Sequence, residues 1–189
     1  AEAAQGFEAS ARIALVAADR PTADRWREGL AALVPDRIEV LSPEAALDEA
    51  DRPRAADAFV LDADLPRAGG GLALLTDLRS RTGTRHAALI FAHRPEDAGT
   101  GAAALDLGAN DLLPIDADPA EMAIRLRTQL GRKREADRLR RTVEDGLKLA
   151  ATDTLTGLFN RRYAIAYLER VAREAAERQR AYAVMVADL

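Results

Sequence analysis

The chain contains no cysteine. That excludes a disulfide framework and a thiolate metal site, and it suits a cytoplasmic protein. Histidine is nearly as scarce. His86 and His93 are the two present, and neither has a second histidine or a carboxylate at ligand spacing, so both read as loop and strand-end residues rather than metal ligands. No run approaches the roughly 20 apolar residues of a membrane span, and no signal peptide is visible. Aromatic residues make up 4% of the 189 positions while 48% are apolar, many of them alanine. A core is therefore expected from small aliphatic side chains, in one domain of about 100–150 residues with an appendage. A net charge of -4 argues against a general nucleic-acid-binding surface.

What is present is a regular alternation. Arg12–Ala17 is an apolar run that reads as a buried parallel strand. Pro21 opens a helix through Trp26, Leu30 and Leu33 that closes near Pro35, and a second strand covers Arg37–Leu41. Ser42 before Pro43 is an N-cap and first-turn signal for a short helix to about Ala50. Ala58–Leu61 is the third strand, ending at Asp62, and Gly69-Gly70-Gly71 is a turn before a helix carrying Leu72, Leu75 and Leu78. The glycines lack the lysine and spacing of a phosphate-binding loop. Ala87–Ala92 is the fourth strand, a helix spans about Pro95–Leu107, Asp111-Leu112-Leu113 is a short fifth strand, and a helix runs from Pro119 to about Ala150.

Such alternation predicts an α/β fold, a doubly wound five-stranded parallel sheet followed by a long helical stalk. Sheets of this kind place their sites at the carboxyl ends of the strands. Here those ends are Ala17-Ala18-Asp19, Asp62-Ala63-Asp64, Ala92-His93 and Pro114-Ile115.

The stalk carries Leu126, Leu130, Ala136, Leu139, Val143, Leu147 and Ala150 mostly at three- and four-residue steps, a stripe too narrow for a core. A homodimer through this seam, shared with the globular surface, is expected, with Leu126, Leu130, Leu139, Val143 and Leu147 in contact. The basic stretch Arg132–Arg141 has interleaved acids and no aromatics, so it reads as a solvated stalk rather than a nucleic-acid site. At Asp153–Arg162 the stalk joins a new helix. Asn160 is a good N-cap, but Arg161 and Arg162 fall in the first turn, where the helix dipole disfavours cations. Either these arginines reach water or they pair with carboxylates such as Asp153 to fix the corner. The apolar run Ala183–Ala187 reads as a strand, and a chain that begins at Ala1 and stops beside that strand is expected to be a piece of a longer protein.

The spacing of the strand ends resembles the response-regulator receiver domain. Asp57–Pro66, followed by glycines, is similar to the family's phosphoacceptor segment, with Asp62 at the acceptor position, and Gly108-Ala109-Asn110-Asp111 resembles the segment that enters its fifth strand. Phosphoryl transfer to an aspartate needs Mg²⁺ held by extra acids, a hydroxyl and a lysine. By the resemblance the acidic pair aligns with Ala17-Ala18, the hydroxyl with Ala92, the lysine with Ile115 and the switch aromatic with Leu112. The expectation is a receiver that cannot be phosphorylated. The alternative is a phosphorylatable receiver with Asp62 as acceptor, switching a partner domain, in which a one-residue shift brings Asp19 into a metal site with Asp62 and Asp64.

The corner fits a second family. Asp153, Leu155, Thr156, Leu158, Asn160, Arg161 and Arg162 match the opening signature of the GGDEF domain of diguanylate cyclases. The resemblance implies that Asp188, with the backbone carbonyl of Leu189, begins the site that holds Mg²⁺ against the phosphates of GTP. Most of that domain lies outside the chain, so no catalytic residue and no cofactor are expected here; Mg²⁺ with GTP belongs to the intact parent. In order, the chain reads as a leader at 1–11, a receiver-like domain at 12–130, a stalk at 131–151 and the start of a GGDEF domain at 152–189. This arrangement resembles the adaptor receiver of PleD-type response regulators. It implies a non-catalytic dimerisation segment whose partners are a second copy, an upstream receiver and a downstream cyclase domain, with no nucleic acid and no membrane.

Overall fold

The computed structural model describes residues 10–153 and 155–185, and of residues 147–150 only the backbone. Its elements are β1 (Arg12–Val16), α1 (Arg20–Ala31), β2 (Arg37–Val40), α2 (Pro43–Asp48) with a 3-10 turn at Glu49–Asp51, β3 (Ala58–Asp62), α3 (Gly70–Ser80), β4 (Ala88–His93), α4 (Ala98–Asp106), β5 (Asp111–Pro114), α5 (Pro119–Ala151) and α6 (Arg161–Glu177). Five strands pair in parallel in the order β2-β1-β3-β4-β5, the doubly wound sheet that the alternation predicts. Contacts divide the chain into two units, Ala1–Ala136 and Asp137–Leu189.

The sheet of the first unit is buried on both faces. Along β3, Val60 points to one side with Ile13, Leu15 and Ile90, where Trp26 and Leu30 of α1 and Met122, Ala123, Leu126 and Leu130 of α5 cover it. Phe59 and Leu61 point to the other side, against Leu74, Leu75 and Leu78 of α3 and Ala104 of α4. This period of two on strands hydrophobic throughout is what a central parallel strand requires. Each fully buried leucine of these layers contributes on the order of 1.5–3 kcal/mol by leaving water.

Leu126 and Leu130 therefore belong to the core of their own domain, which corrects their assignment to a dimer seam. An apolar stripe at three- and four-residue steps has the same sequence pattern whether it covers a sheet or meets a partner helix. Leu139 and Val143, further along the same helix, are 59% and 62% exposed, and the side chain of Leu147 lies outside the described residues.

Other boundaries moved by a few residues. α4 begins at Ala98 rather than Pro95, because the Asp97 N–H turns back to the carbonyl of Arg94 at 3.0 Å. The Gly69–Gly71 turn passes directly into α3, with φ of 76° and 57° at Gly69 and Gly70. A Cβ on Gly71 would stand 2.2 Å from the carbonyl oxygen of Asp62, so α3 starts pressed against the end of β3. Tyr182–Met185 forms no strand, having no strand to pair with among the described residues. The rest of the expected strand lies outside the described residues.

Candidate functional site

The carboxyl end of β3 is organised by one carboxylate. Asp62 is 3% exposed. Its Oδ2 accepts the N–H of Ala18, in the loop after β1, at 2.9 Å, and its Oδ1 accepts the N–H of Asp64 at 2.9 Å. Asp64 points outward and takes the Nε–H of Arg94, in the loop after β4, at 3.1 Å. That pairing with Asp64 holds the Arg94 guanidinium above its ordinary value, with Glu96 and Asp62 adding to it through the field.

The remaining positions are apolar. Ala92 lies opposite Asp62 in the β3–β4 register and is fully buried. The side chain of Ile115 packs on the core, and its carbonyl accepts the Arg25 Nη2 at 2.9 Å and the Trp26 Nε1 at 3.3 Å. Leu112 packs against the other face of the sheet. Asp19 does not join the acidic end. It is the N-cap of α1, with Oδ1 accepting the Thr22 N–H at 2.8 Å, and this bond holds its carboxyl below the usual carboxylate range. The one-residue shift that would have made it a metal ligand is not adopted, because the capping bond uses the same side chain.

The magnesium that a receiver resemblance implies does not fit these residues. Ala17 and Ala18 offer methyl groups where extra acids would be needed, both oxygens of Asp62 face backbone N–H groups, and Asp64 faces Arg94. Among the described residues no group of three or more histidine, cysteine, aspartate or glutamate side chains is arranged to hold a metal ion. No helix among them is long and apolar enough to cross a membrane.

Residues that the sequence does not advertise hold the loops. Arg79 of α3 donates through Nε to the Gly108 carbonyl at 2.8 Å and through Nη1 to the carbonyls of Ala87 at 2.7 Å and Arg85 at 2.9 Å. Its Nη2 donates to Asn110 Oδ1, which also takes the Leu89 N–H at 2.7 Å. Burial lowers the pKa of this guanidinium. The Gly108–Asp111 segment thus owes its shape to a helix-surface arginine. Asp111 then accepts Arg125 Nη1 at 2.9 Å and Gln129 Nε2 at 3.1 Å from α5.

The second unit contains the corner. Thr152 and Phe159 form an antiparallel bridge around a turn in which Gly157 has φ 70°. Asp153 Oδ1 accepts the N–H groups of Leu155 at 3.1 Å and Thr156 at 2.9 Å and the Thr156 hydroxyl at 3.0 Å. The Thr156 bonds lead in holding the Asp153 carboxyl below its ordinary value. Asn160 is the N-cap, its Oδ1 accepting the Tyr163 N–H at 2.9 Å. Arg161 and Arg162 are exposed and make no ion pair among the described residues. The corner is closed by Asp153 bonding its own turn, and the arginines do not fix it. Leu155 and Leu158 are exposed, and Phe159 of the turn stacks on Tyr163 of α6 and Tyr163 on Tyr167, with centroids 4.4 and 6.3 Å apart. Asp188 and Leu189 lie outside the described residues.

The strand order, the two helical layers and the acid at the end of β3 define the CheY-like receiver fold, and the first unit has that fold. The chain is 41% identical over 105 residues to the response regulator PleD of Caulobacter vibrioides, which is 56% of this chain and 23% of that protein. It thus spans about a quarter of the length of the curated relatives it matches. Among solved structures, the receiver domain of a sensor histidine kinase from Pseudomonas aeruginosa, with a magnesium ion coordinated in its active-site cleft, is 26% identical, covers 65% of this chain and 99% of its own, and superposes with a TM-score of 0.55. A CheY-like response regulator receiver domain protein from Methanospirillum hungatei is 15% identical, with a TM-score of 0.59 over 68% of this chain and 99% of its own. No protein-family model matches the chain.

Proposed function

We propose that this chain is the non-catalytic adaptor and dimerisation receiver segment of a cytoplasmic two-component response regulator, whose intact parent is a diguanylate cyclase converting two GTP into cyclic di-GMP. The observation that carries the adaptor role is the acceptor end of the sheet. Asp62 is bonded to the N–H groups of Ala18 and Asp64, and Ala92 and Ile115 stand where phosphoryl transfer needs a hydroxyl and a lysine. A phosphoryl group arriving there would meet methyl groups and an occupied carboxylate.

The cyclase output is supported by the likeness of Asp153–Arg162 to a GGDEF opening and by the similarity to PleD. Condensing two GTP molecules needs two cyclase domains face to face, and a dimerising segment supplies that by raising their effective concentration. The partners are accordingly a second copy, through the receiver surface and the exposed Leu139 and Val143 of the stalk, and the upstream receiver and downstream cyclase domains of the same parent. Mg²⁺ would enter with GTP in the cyclase domain.

Incubation with a small phosphodonor and Mg²⁺, followed by intact-mass measurement, is expected to return the unmodified mass. A stoichiometric adduct that disappears in Asp62→Asn overturns the adaptor role in favour of a phosphorylatable receiver. For the output, a chain continuing past Leu189 is expected to make cyclic di-GMP from GTP, and a folded one that makes none removes the cyclase reading.

A further inference from the structure

The mismatch between this site and a divalent cation has a positive counterpart. A carboxylate buried as deeply as Asp62 needs partners, and its partners are backbone N–H groups from two different loops. Ala18 follows β1 and Asp64 follows β3, so one side chain ties both loops to the end of the central strand. The Ala63 N–H adds a bond to the Ala92 carbonyl at 2.8 Å, and Arg94, just beyond β4, reaches back to Asp64 at 3.1 Å. The ends of β1, β3 and β4 are thereby stitched together without an ion.

We infer that Asp62 and Arg94 form a cation-independent clasp, in which two backbone N–H groups and a tethered guanidinium occupy the carboxylates that a dissociable divalent cation would otherwise take. The inference rests on the adaptor reading and deepens it, by giving the acceptor end a fixed shape. An arginine keeps its charge at every physiological pH and, being part of the chain, needs no free ligand to hold its place. So exposed an ion pair adds little stability. Its effect is on access: it covers Asp64 and sets a positive charge beside Asp62 and Glu96, against any incoming cation.

The ¹⁵N-labelled chain, its Arg94→Ala variant and its Asp62→Asn variant test this. With Mn²⁺ at roughly millimolar concentration, the range of weak carboxylate sites, the unsubstituted chain is expected to keep the amide signals of Ala18, Asp62 and Asp64. Arg94→Ala is expected to lose them by paramagnetic broadening. Equal broadening in both proteins, or none in the variant, overturns the role of Arg94. In Asp62→Asn, which retains one acceptor oxygen, hydrogen exchange at Ala18 and Asp64 is expected to speed up by about tenfold relative to Ile90, the loss of a charge-assisted bond. Unchanged relative rates overturn the role of Asp62. Should Asp62→Asn fail to fold, the Mn²⁺ comparison still decides. A chain that accepts a phosphoryl group yet keeps these amides protected beforehand would sink the adaptor reading and leave the clasp standing.

Discussion

The N–H of Ala18 lies 2.9 Å from Oδ2 of Asp62, although 44 residues separate them in sequence. In a receiver fold this is the span between the loop after the first strand and the end of the third. Asp62 therefore fastens a loop. Because the loop's own side chains at that place are the methyl groups of Ala17 and Ala18, the bond has to come from the backbone. The same economy recurs at the corner, where Asp153 bonds the N–H groups of its own turn.

At the opposite end of β1, beside Arg12, Glu49 is fully buried. It takes Arg12 Nη1 at 2.9 Å, Arg12 Nη2 at 3.1 Å and the Ala56 N–H at 2.8 Å. Glu49→Ala is expected to destabilise the first unit by about 1–3 kcal/mol in urea titration, because it leaves Arg12 with Glu39 as its one carboxylate partner and takes the acceptor from the buried Ala56 N–H. Replacing both Arg12 and Glu49 with leucine is expected to recover part of the loss. A single variant within about 0.5 kcal/mol of the parent would show that the network is dispensable.

Asp19 gives a pH-dependent prediction. Its folded pKa is depressed by the Thr22 N–H, so its contribution is present above the unfolded value and is lost as pH falls through the folded one. Asp19→Ala is expected to be less stable than the parent at neutral pH. The two melting curves should converge once the pH drops below the usual carboxylate range. A gap that persists in acid would mean that something other than the ionised cap is at work.

The two halves of α5 are separable by mutation. Leu126→Ala or Leu130→Ala is expected to cost about 2–5 kcal/mol of receiver stability, as core truncations do. Leu139→Asp with Val143→Asp is expected to leave that stability within about 0.5 kcal/mol and to lower the mass found by sedimentation toward that of a monomer. An unchanged mass would remove the seam from the proposed dimer.

How far the sequence was legible follows from which contacts are local. The apolar runs at Arg12–Ala17, Ala58–Leu61 and Ala87–Ala92 announced the sheet because a strand buried on both faces leaves no other composition. Ser42 and Asn160 announced helix starts because a cap acts within three residues of itself, and both accept the expected N–H. What stayed hidden was long-range. Arg79 reads as one more solvated arginine of a helix until Gly108, Asn110 and Ala87 come beside it. Leu126 and Leu139 share one spacing pattern, and the tertiary fold alone separates core from surface. At the carboxyl end of the sheet, the side chains of Ala17, Ala18, Ala92 and Ile115 could be read from the sequence as apolar. The partners of Asp62 could not be read there, since backbone N–H groups leave no mark in a sequence.

The corner at Asp153–Arg162 yields the last prediction. If the first-turn arginines fixed the joint, Arg161→Ala and Arg162→Ala would loosen it. They are exposed and make no ion pair among the described residues, and they sit where a helix dipole resists cations. Removing them is therefore expected to leave α6 intact or slightly firmer. Asn160→Ala deletes the acceptor of the Tyr163 N–H and is expected to cost about 1 kcal/mol of helix stability, read as lost helical circular dichroism and faster exchange at Tyr163. Asp153→Ala is expected to act one turn earlier, exposing the N–H groups of Leu155 and Thr156 to exchange. Should the arginine variants lose more helix than Asn160→Ala, the arginines would have to be returned to a structural role.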